Sequence, residues 1–321
     1  MTVKNVSVLG GAGFVGSAIV NKLDAEGYKV KVLTRHRERC KHLILLPNVN
    51  VQTCDFSSSN ALTEALKDSD AVINLIGILH ESKRNSFESV HHQLPRRIAQ
   101  MCEELGIIRL LHMSALRAGK YAPSKYLRSK AAGEDAINEF NKKLDITIFK
   151  PSVIFGRGDN FLNLFAKVIQ FVPVLVLGKS NAKFQPIWVE DVAEIFVKSL
   201  QNTATFGKTY ELGGSSVFSL RELVEKVMRV VGKKRPIIEL NNSLSYLQGL
   251  ALECLPGKLM TRDNVRSMEV DNVTEGSLAS ELGVKLTPLD AVIAEYLTNA
   301  SPRGAYNAFR SAAGRAISAR R

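Results

Sequence analysis

Gly10-Gly-Ala-Gly13-Phe-Val-Gly16 is the stretch that decides the fold, because a short apolar run precedes it and a helical pattern follows it. Gly10 allows the chain to turn sharply, and Gly13 allows backbone N–H groups to approach a pyrophosphate. Gly16 allows the following helix to pack closely on the sheet. Free N–H groups and the positive dipole end of that helix also favour a phosphate. The stretch therefore predicts a dinucleotide-binding loop, and a glycine-rich turn without a ligand is the weaker alternative.

Strand and helix patterns alternate through the first half of the chain. Short apolar runs predict strands over residues 6–9, 28–33, 49–54, 71–76, 109–113 and 146–149. Amphipathic patterns predict helices over residues 16–26, 61–67, 96–105 and 129–140. This alternation is typical of βαβ units, so we expect an α/β protein with a Rossmann-type, doubly wound parallel sheet.

The pattern changes after the sixth predicted strand, and this change divides the chain into expected domains. Residues 1–155 are expected to form the dinucleotide-binding Rossmann domain, which a helix and a strand within about 188–212 would complete. Residues 156–187 and 213–300 are expected to form a smaller, mostly helical lobe that faces a substrate or a partner. Residues 301–321 form a basic tail with five arginines and no acidic residue.

The composition is that of an ordinary globular protein, with 45% hydrophobic and 23% charged residues. No apolar run approaches the ~18 residues that a membrane-spanning helix needs. The first residues lead directly into a strand, which predicts a chain without a targeting segment that stays in the cytoplasm. The four cysteines form no CxxC pair and are interpreted as reduced thiols, so neither a disulfide framework nor a metal site is expected.

Arg35 lies at the end of the second predicted strand, where an NAD-specific protein usually has an acidic residue that holds the ribose 2′-hydroxyl. Arg37 follows it within a basic cluster. Because a guanidinium binds a 2′-phosphate well, the sequence favours NADP(H), with NAD(H) and a solvated basic loop as the alternatives. Asp55, after the third predicted strand, is expected either beside the adenine or in a turn.

Tyr126-Leu-Arg-Ser-Lys130 places a tyrosine and a lysine four residues apart, on one face of a predicted helix. An ammonium beside a phenol lowers the pKa of the phenol. Tyr126 could then exchange a proton with a substrate carbonyl or alcohol while hydride moves to or from a nicotinamide. Ser114 could hydrogen-bond the same substrate oxygen. In the alternative role, Tyr126 and Lys130 hold the cofactor ribose and carry out no reaction.

A second pair, Tyr121 and Lys125, has the same spacing. Pro123 lies between its members and disfavours a helix interior there. Ser124 is instead expected to be the N-cap of a helix that contains both Tyr126 and its lysine partner. The other ionisable residues form no better site, since the histidines lack metal-ligand spacing and the sequence has no GxSxG motif.

The glycine loop and the Tyr126-Lys130 pair together resemble the extended or atypical short-chain dehydrogenase/reductase superfamily (NAD-dependent epimerase/dehydratase-like). Further stretches are similar to the nucleotide-binding accessory subunit of respiratory complex I and its bacterial relatives: Tyr126-Leu-Arg-Ser-Lys-Ala-Ala-Gly-Glu134, Lys150-Pro-Ser-Val-Ile-Phe-Gly156, Gly158-Asp-Asn-Phe-Leu-Asn163, Gln185-Pro-Ile-Trp-Val-Glu-Asp-Val192, Met260-Thr-Arg-Asp-Asn-Val265 and Val270-Asp-Asn-Val273. The likeness covers about residues 1–300. It implies a tightly held NADPH, which is regarded as structural in the complex I subunit, whereas other members are epimerases, dehydratases and reductases.

The expected site has two sets of residues. The catalytic set is Ser114, Tyr126 and Lys130. The cofactor-binding set is Gly10, Gly13, Phe14, Val15, Gly16, Arg35, Arg37, Asp55, Gly77, Tyr126, Lys130, Pro151 and Val153. One implied function is an oxidoreductase or epimerase-type enzyme that acts on an unidentified small molecule. The other is a non-catalytic NADPH-binding protein that docks on respiratory complex I or helps to assemble it.

The formal net charge of +12 raises a third and weaker function, the binding of RNA along a basic stripe. Two of the three basic clusters, within residues 29–41 and 117–130, lie at the expected cofactor site, so a nucleic-acid partner is not favoured. The third cluster is the tail, which is expected to be solvated. Alternatively, the tail forms a short basic amphipathic helix that rests on anionic lipid or on an acidic partner, as a peripheral contact at the inner face of the membrane.

Overall fold

The computed structural model describes residues 3–254, 260–276 and 278–298, so the basic tail and its predicted helix lie outside the described residues. The first half of the chain alternates strands with helices. The strands are β1 (Asn5–Leu9), β2 (Lys29–Thr34), β3 (Val49–Thr53), β4 (Ala71–Asn74), β5 (Arg109–Met113) and β6 (Asp145–Pro151). The helices are α1 (Phe14–Ala25), α2 (Lys41–Ile44), α3 (Ser59–Leu66), α4 (Leu94–Glu104) and α5 (Lys125–Asn138). A 3₁₀-helix (Arg37–Cys40) precedes α2, and a π-helix (Glu88–Gln93) leads into α4.

The second half contains shorter strands among more helices. The strands are β7 (Ile154–Phe155), β8 (Leu175–Gly178), β9 (Lys183–Phe184), β10 (Ile187–Trp188), β11 (Lys208–Leu212), β12 (Phe218–Ser219) and β13 (Ile237–Leu240). The helices are α6 (Leu162–Phe171), α7 (Val189–Ser199), α8 (Leu220–Val231), α9 (Asn242–Glu253), α10 (Arg262–Ser267), α11 (Leu278–Glu281) and α12 (Leu289–Thr298). We use "smaller lobe" for α6, β8, β9, β12, α8, β13, α9, α10 and α12.

Seven parallel strands form the central sheet, in the order β11-β6-β5-β4-β1-β2-β3. The chain runs outward from β1 to β3, returns to β4 on the other side of β1, and then runs outward to β11. This reversal between β1 and β4 is a topological switch point, where open α/β sheets bind ligands beyond the carboxyl ends of their strands. The predicted Rossmann-type, doubly wound parallel sheet is therefore confirmed.

Apolar side chains fill a layer on each face of the sheet, because parallel strands are usually covered on both sides. On one face, α1 and α7 pack against the strands through residues such as Ile19 and Phe196. On the other face, α3 and α4 pack through residues such as Leu62 and Ile98. A separate core in the smaller lobe joins α6, α8, α12 and β8. Within the described ranges, no helix is long and apolar enough to cross a membrane.

Arg109 links β5 to β6 and to the end of α7. Its buried guanidinium donates hydrogen bonds to the backbone carbonyls of Asp145 (2.7 Å), Ser199 (2.7 Å) and Leu200 (3.0 Å). It also stacks on the ring of Phe206, 4.4 Å from the ring centroid. Burial lowers the pKa of Arg109 to about 10. The end of α7 is thereby fixed against β6 before the chain enters β11.

All four helices predicted in the first half begin before their predicted first residue, and the differences at α5 and α4 concern the candidate site. α5 begins at Lys125 and not at residue 129, because Ser124 caps it, as predicted for that serine. α4 begins at Leu94 and not at residue 96, because it continues a π-helix whose wider turn a 3.6-residue pattern does not detect. Both differences lie in the segments that form the site described next.

Candidate functional site

The glycine loop joins the end of β1 to the start of α1. Gly10 has a φ of +81°, a left-handed conformation that disfavours residues with a side chain. A Cβ on Gly16 would lie 2.2 Å from the carbonyl oxygen of Gly10, so only glycine fits there. The close approach predicted for Gly16 is therefore to the loop backbone and not to the sheet. Gly13 is the N-cap of α1, so Phe14 and Val15 begin a helix whose first N–H groups have no acceptor within the helix.

Gly77 lies directly beyond β4, at the switch point. The N–H of Leu75 donates to the carbonyl of Leu9 (3.0 Å), which aligns the carboxyl ends of β4 and β1. A Cβ on Gly77 would lie 3.5 Å from Nε2 of His91 and 3.7 Å from Nζ of Lys130, so the backbone passes close to both side chains. The glycine loop, Gly77 and Lys130 therefore lie along one edge of the sheet.

Arg35 and Asp55 follow the neighbouring strands β2 and β3. Arg35 is exposed, and its guanidinium donates to the side-chain oxygen of Asn85 at 3.4 Å. Asp55 accepts hydrogen bonds from the hydroxyl (2.6 Å) and the N–H (2.9 Å) of Ser57. These bonds lower the pKa of Asp55, and the charge of Arg35 lowers it further. Asp55 thus forms a turn, one of the two roles predicted for it, while Arg37 is exposed at the start of the 3₁₀-helix.

Two caps hold the start of α5. The Ser124 hydroxyl oxygen accepts a hydrogen bond from the N–H of Leu127 at 3.1 Å. Asp263 of α10 accepts hydrogen bonds from the N–H groups of Lys125 (2.8 Å) and Tyr126 (2.9 Å). A carboxylate at this position also stabilises the positive end of the helix dipole. No local pattern could indicate this second cap, since 137 positions separate Asp263 from Tyr126.

Lys130 is buried at the carboxyl end of β5, one helical turn from Tyr126. Its ammonium donates a hydrogen bond to the carbonyl oxygen of Met113 at 2.8 Å. Burial lowers the pKa of Lys130 to about 8. The competing Tyr121 precedes α5 and is 91% exposed. The position of the ammonium therefore favours Tyr126 over Tyr121 as the functional tyrosine.

The ring of Tyr126 packs edge-on against the rings of His91 and Phe87, with centroid distances of 5.6 and 6.1 Å. Burial raises the pKa of Tyr126 to about 12. The sequence predicted that Lys130 lowers the pKa of Tyr126, and this prediction is wrong, because the pKa is raised. The ammonium of Lys130 is bound to the Met113 carbonyl, and it does not offset the cost of burying a phenolate.

His91 is a buried link between the switch point and α5. Its Nε2 accepts a hydrogen bond from the N–H of Ile78 (3.0 Å), and its Nδ1 lies 2.8 Å from the hydroxyl of Ser129. Because that hydroxyl donates to the Tyr126 carbonyl (2.7 Å), the network assigns a neutral imidazole with its proton on Nδ1. Burial, and then the charge of Lys130, lower the pKa of His91 to about 3. Its place on a π-helix, which the sequence pattern did not reveal, is typical of functional sites.

Ser114 follows β5, and its hydroxyl donates a hydrogen bond to Glu134. Glu134 lies on α5, one turn beyond Lys130, and also pairs with the ammonium of Lys150 at 3.1 Å. That ammonium donates a further bond to the Ala118 carbonyl at 2.9 Å. Burial raises the pKa of Glu134, and the Ser114 and Lys150 contacts oppose this rise. Because the Ser114 proton is engaged by Glu134, the free lone pairs of the serine oxygen are what it offers to a substrate.

Pro151 and Val153 lie where the chain leaves β6 for the smaller lobe. Asn272 clamps this turn, since its side-chain oxygen accepts hydrogen bonds from the hydroxyl of Ser152 (2.6 Å) and the N–H of Val153 (3.2 Å). The N–H of Asn272 donates to the carbonyl of Lys183 at 2.8 Å. The segment around Asn272 therefore fastens the smaller lobe to the end of the sheet nearest the site.

The profile of the NAD dependent epimerase/dehydratase family matches residues 6–213. The mitochondrial NADH dehydrogenase (ubiquinone) 1 alpha subcomplex subunit 9 of Arabidopsis thaliana is 31% identical over 299 residues, covering 89% of this chain and 73% of that protein. The subunit of the same name from Mus musculus is 32% identical over 312 residues, covering 91% of this chain and 79% of that protein.

A solved structure of a dTDP-glucose 4,6-dehydratase double mutant from Streptomyces venezuelae, with NAD bound, has the same fold. Its TM-score is 0.73 at 19% sequence identity, and the superposition covers 93% of this chain and 98% of that chain. At this identity, the likeness concerns the fold alone.

Proposed function

The chain belongs to the NAD dependent epimerase/dehydratase family, as its sequence motifs predicted, and we propose that it binds NADP(H) and transfers hydride to or from a small molecule. One observation carries this proposal: the buried ammonium of Lys130, bound to the Met113 carbonyl and close to Gly77, at the carboxyl edge of the sheet. A lysine whose pKa is lowered by burial within such an edge is typical of a functional site.

The residues along this edge fit a dinucleotide. The first N–H groups of α1 suit a pyrophosphate, because the N-terminus of a helix favours anions. Arg35 and Arg37 are exposed, and their guanidinium groups suit a 2′-phosphate. Lys130 would hold the ribose hydroxyls, and the backbone at Pro151 and beyond would border the nicotinamide. When bound, the nicotinamide supplies or accepts the hydride.

The chain itself supplies the proton chemistry in this proposal. Tyr126, with its raised pKa, is protonated near neutral pH and donates its proton to a substrate carbonyl oxygen. Lys130 orients the ribose beside it. The oxygen of Ser114 accepts a hydrogen bond from a substrate hydroxyl, because its own proton is held by Glu134. The sequence alone suggested instead a hydrogen bond between Ser114 and the substrate oxygen that Tyr126 protonates.

A second function is favoured by the two mitochondrial subunits, which are related to this chain over most of its length. In that function the protein is a non-catalytic accessory or assembly protein of a respiratory NADH dehydrogenase. The same residues then hold NADPH as a structural part of the fold, and Tyr126 and Lys130 carry out no reaction.

Titration of NADPH and NADH against the wild type and Arg35→Ala tests the nucleotide assignment. The wild type should bind NADPH more tightly, and Arg35→Ala should lose roughly 1.5–3 kcal/mol, about 10- to 150-fold, of NADPH affinity through the lost charge-assisted bond. NADH affinity should not change. Arg229→Ala, on the exposed face of α8, is the matched control. Equal wild-type affinities for the two nucleotides, or an unchanged preference in Arg35→Ala, would overturn the assignment.

A further inference from the structure

Helix α9 presents an uncharged face to solvent. It packs against the rest of the smaller lobe through the buried Ser245 and Gly249. Leu244, Leu247 and Leu250 point away from that contact and are 47%, 57% and 38% exposed. Their three-residue spacing places them in one stripe along the helix. The exposed residues of α9 are all uncharged: Asn242, Ser243, Leu244, Leu247, Leu250 and Ala251.

Exposed apolar side chains continue from α9 onto the neighbouring strands. The side-chain amide of Gln248 donates to the Val176 carbonyl at 2.8 Å, which holds α9 beside β8. Val176 lies opposite Ile238 in the parallel register of β8 and β13, and both side chains are exposed. Phe171 and Val174, just before β8, are exposed as well. We use "apolar face" for Phe171, Val174, Val176, Ile238, Leu244, Leu247 and Leu250.

Positive charge borders the apolar face. Lys233 and Lys234 are exposed immediately before β13. The guanidinium of Arg235 donates to the Ile169 carbonyl at 3.2 Å, which places this basic run beside the end of α6, where Phe171 lies. At the other end of β8, the ammonium of Lys179 donates to the side chain of Asn242 at the start of α9 (3.0 Å).

β13 and α9 lie beside these basic residues, and each contains one acidic residue. Both acidic residues pair with side chains outside the apolar face. Glu239 of β13 accepts hydrogen bonds from the hydroxyl of Ser180 (2.8 Å) and from the guanidinium of Arg221. Glu253, at the end of α9, pairs with the guanidinium of Arg262 at 2.9 Å. The surroundings of the apolar face therefore carry net positive charge.

We propose that the apolar face docks on an anionic lipid bilayer. Leucine, isoleucine and phenylalanine side chains would enter the boundary between headgroups and acyl chains, and the lysines at the rim would meet lipid phosphates. A second copy of this chain fits less well, because a two-fold contact through this face would bring two positively charged rims together. The proposal does not depend on whether the bound nucleotide reacts.

Co-sedimentation of the full chain with vesicles tests the proposal. The vesicles are either phosphatidylcholine alone or phosphatidylcholine mixed with phosphatidylglycerol. The wild type should pellet with the mixed vesicles and stay in solution with phosphatidylcholine alone, and added salt should weaken the pelleting. The double variant Leu244→Gln/Leu247→Gln should lower the partition coefficient roughly tenfold or more, because two apolar side chains no longer enter the interface.

Two further variants separate the apolar and electrostatic contributions. Lys233→Gln/Lys234→Gln should lower the partition coefficient roughly tenfold or more and weaken its salt dependence. Leu45→Gln, which changes a leucine that is 85% exposed outside the smaller lobe, is the matched control and should pellet like the wild type. Every variant keeps residues 299–321, so any contribution of the basic tail is common to all of them. Circular dichroism melts check that each variant is folded.

Three outcomes would overturn the proposal. In the first, the wild type and Leu244→Gln/Leu247→Gln pellet equally. In the second, pelleting is the same with and without phosphatidylglycerol. In the third, light scattering detects a wild-type dimer that Leu244→Gln/Leu247→Gln dissociates, which assigns the face to a second copy. NADPH affinity is measured on the same samples, so failure of lipid docking is distinguished from failure of the nucleotide proposal.

Discussion

Tyr126 and Tyr121 each lie four residues before a lysine, but the lysine partner of Tyr126 is buried at the edge of the sheet. Tyr126→Phe keeps the ring that packs on His91 and removes the exchangeable proton. With a carbonyl substrate that oxidises NADPH, this change should lower kcat by about 10²- to 10⁴-fold. Tyr121→Phe should turn over at the wild-type rate.

The two variants also test which Tyr-Lys pair is used and whether the protein is an enzyme or an accessory protein. A fully active Tyr126→Phe would remove the proposed proton donor, and an inactive Tyr121→Phe would show that the other Tyr-Lys pair is used. If NADPH binds tightly and no carbonyl compound oxidises it, the accessory function is the one supported.

His91 is buried in its neutral form, so its titration is coupled to folding. Its pKa is about 3 in the folded protein and about 6.5 in an unfolded chain. Between these values the unfolded state binds more protons, so the free energy of unfolding falls as the pH drops below about 6.5. The loss contributed by one histidine is up to about 1.4 kcal/mol per pH unit. His112, whose pKa burial holds well below its usual range, adds a loss of the same sign.

Urea unfolding at about pH 7 and about pH 5 measures how the free energy of unfolding depends on pH. His91→Gln is the test variant, because glutamine does not titrate. The loss of stability between the two pH values should be smaller for His91→Gln than for the wild type. His42→Gln, at an exposed histidine, should behave like the wild type. An identical pH dependence for His91→Gln and the wild type would contradict the buried neutral imidazole.

At the scale of an element, α5 depends on a cap that belongs to a distant helix. Asp263→Ala removes the acceptor for the N–H groups of Lys125 and Tyr126 and should lower the free energy of unfolding by about 1–2 kcal/mol. Asp135→Ala removes an exposed carboxylate from α5 itself and should change it by less than about 0.5 kcal/mol. Denaturant unfolding of both variants gives the comparison. Equal losses would mean that the contact with Asp263 does not stabilise the helix.

The elements that could be predicted are those that local sequence determines. The strand over 109–113 matches β5 because five consecutive residues are mostly apolar and buried. The second cap of α5 and the π-helix before α4 could not be predicted, since a capping residue 137 positions away and a wider helical turn leave no local pattern. Local spacing therefore predicts the middle of an element better than its ends.

At the scale of the whole molecule, the glycine loop and the βαβ alternation were enough to predict the parallel sheet, and they predict that a ligand binds at its carboxyl edge. Ser114 and Lys130 lie at that edge because each is close to the carboxyl end of β5. Their partners were not predicted. Glu134 and His91 reach this edge only through the packing of α5 against the sheet and the π-helix. The chemistry that a residue can perform was visible in its type and spacing, whereas its protonation depended on tertiary burial.

The long chain segment between β6 and β11 delays the completion of the central sheet while the chain is being synthesised. β6 ends at Pro151 and its edge partner β11 begins at Lys208, so at about 5–20 residues per second a ribosome needs roughly 3–11 s to deliver the partner. During that interval Arg109 lacks its acceptors at the end of α7, and β6 is an open edge that invites misassembly. Nascent chains stalled before β11 should be cut by protease within β6 faster than chains stalled after α9, and equal cleavage would contradict this. Slow translation over residues 152–207 would therefore favour chaperone capture over productive folding.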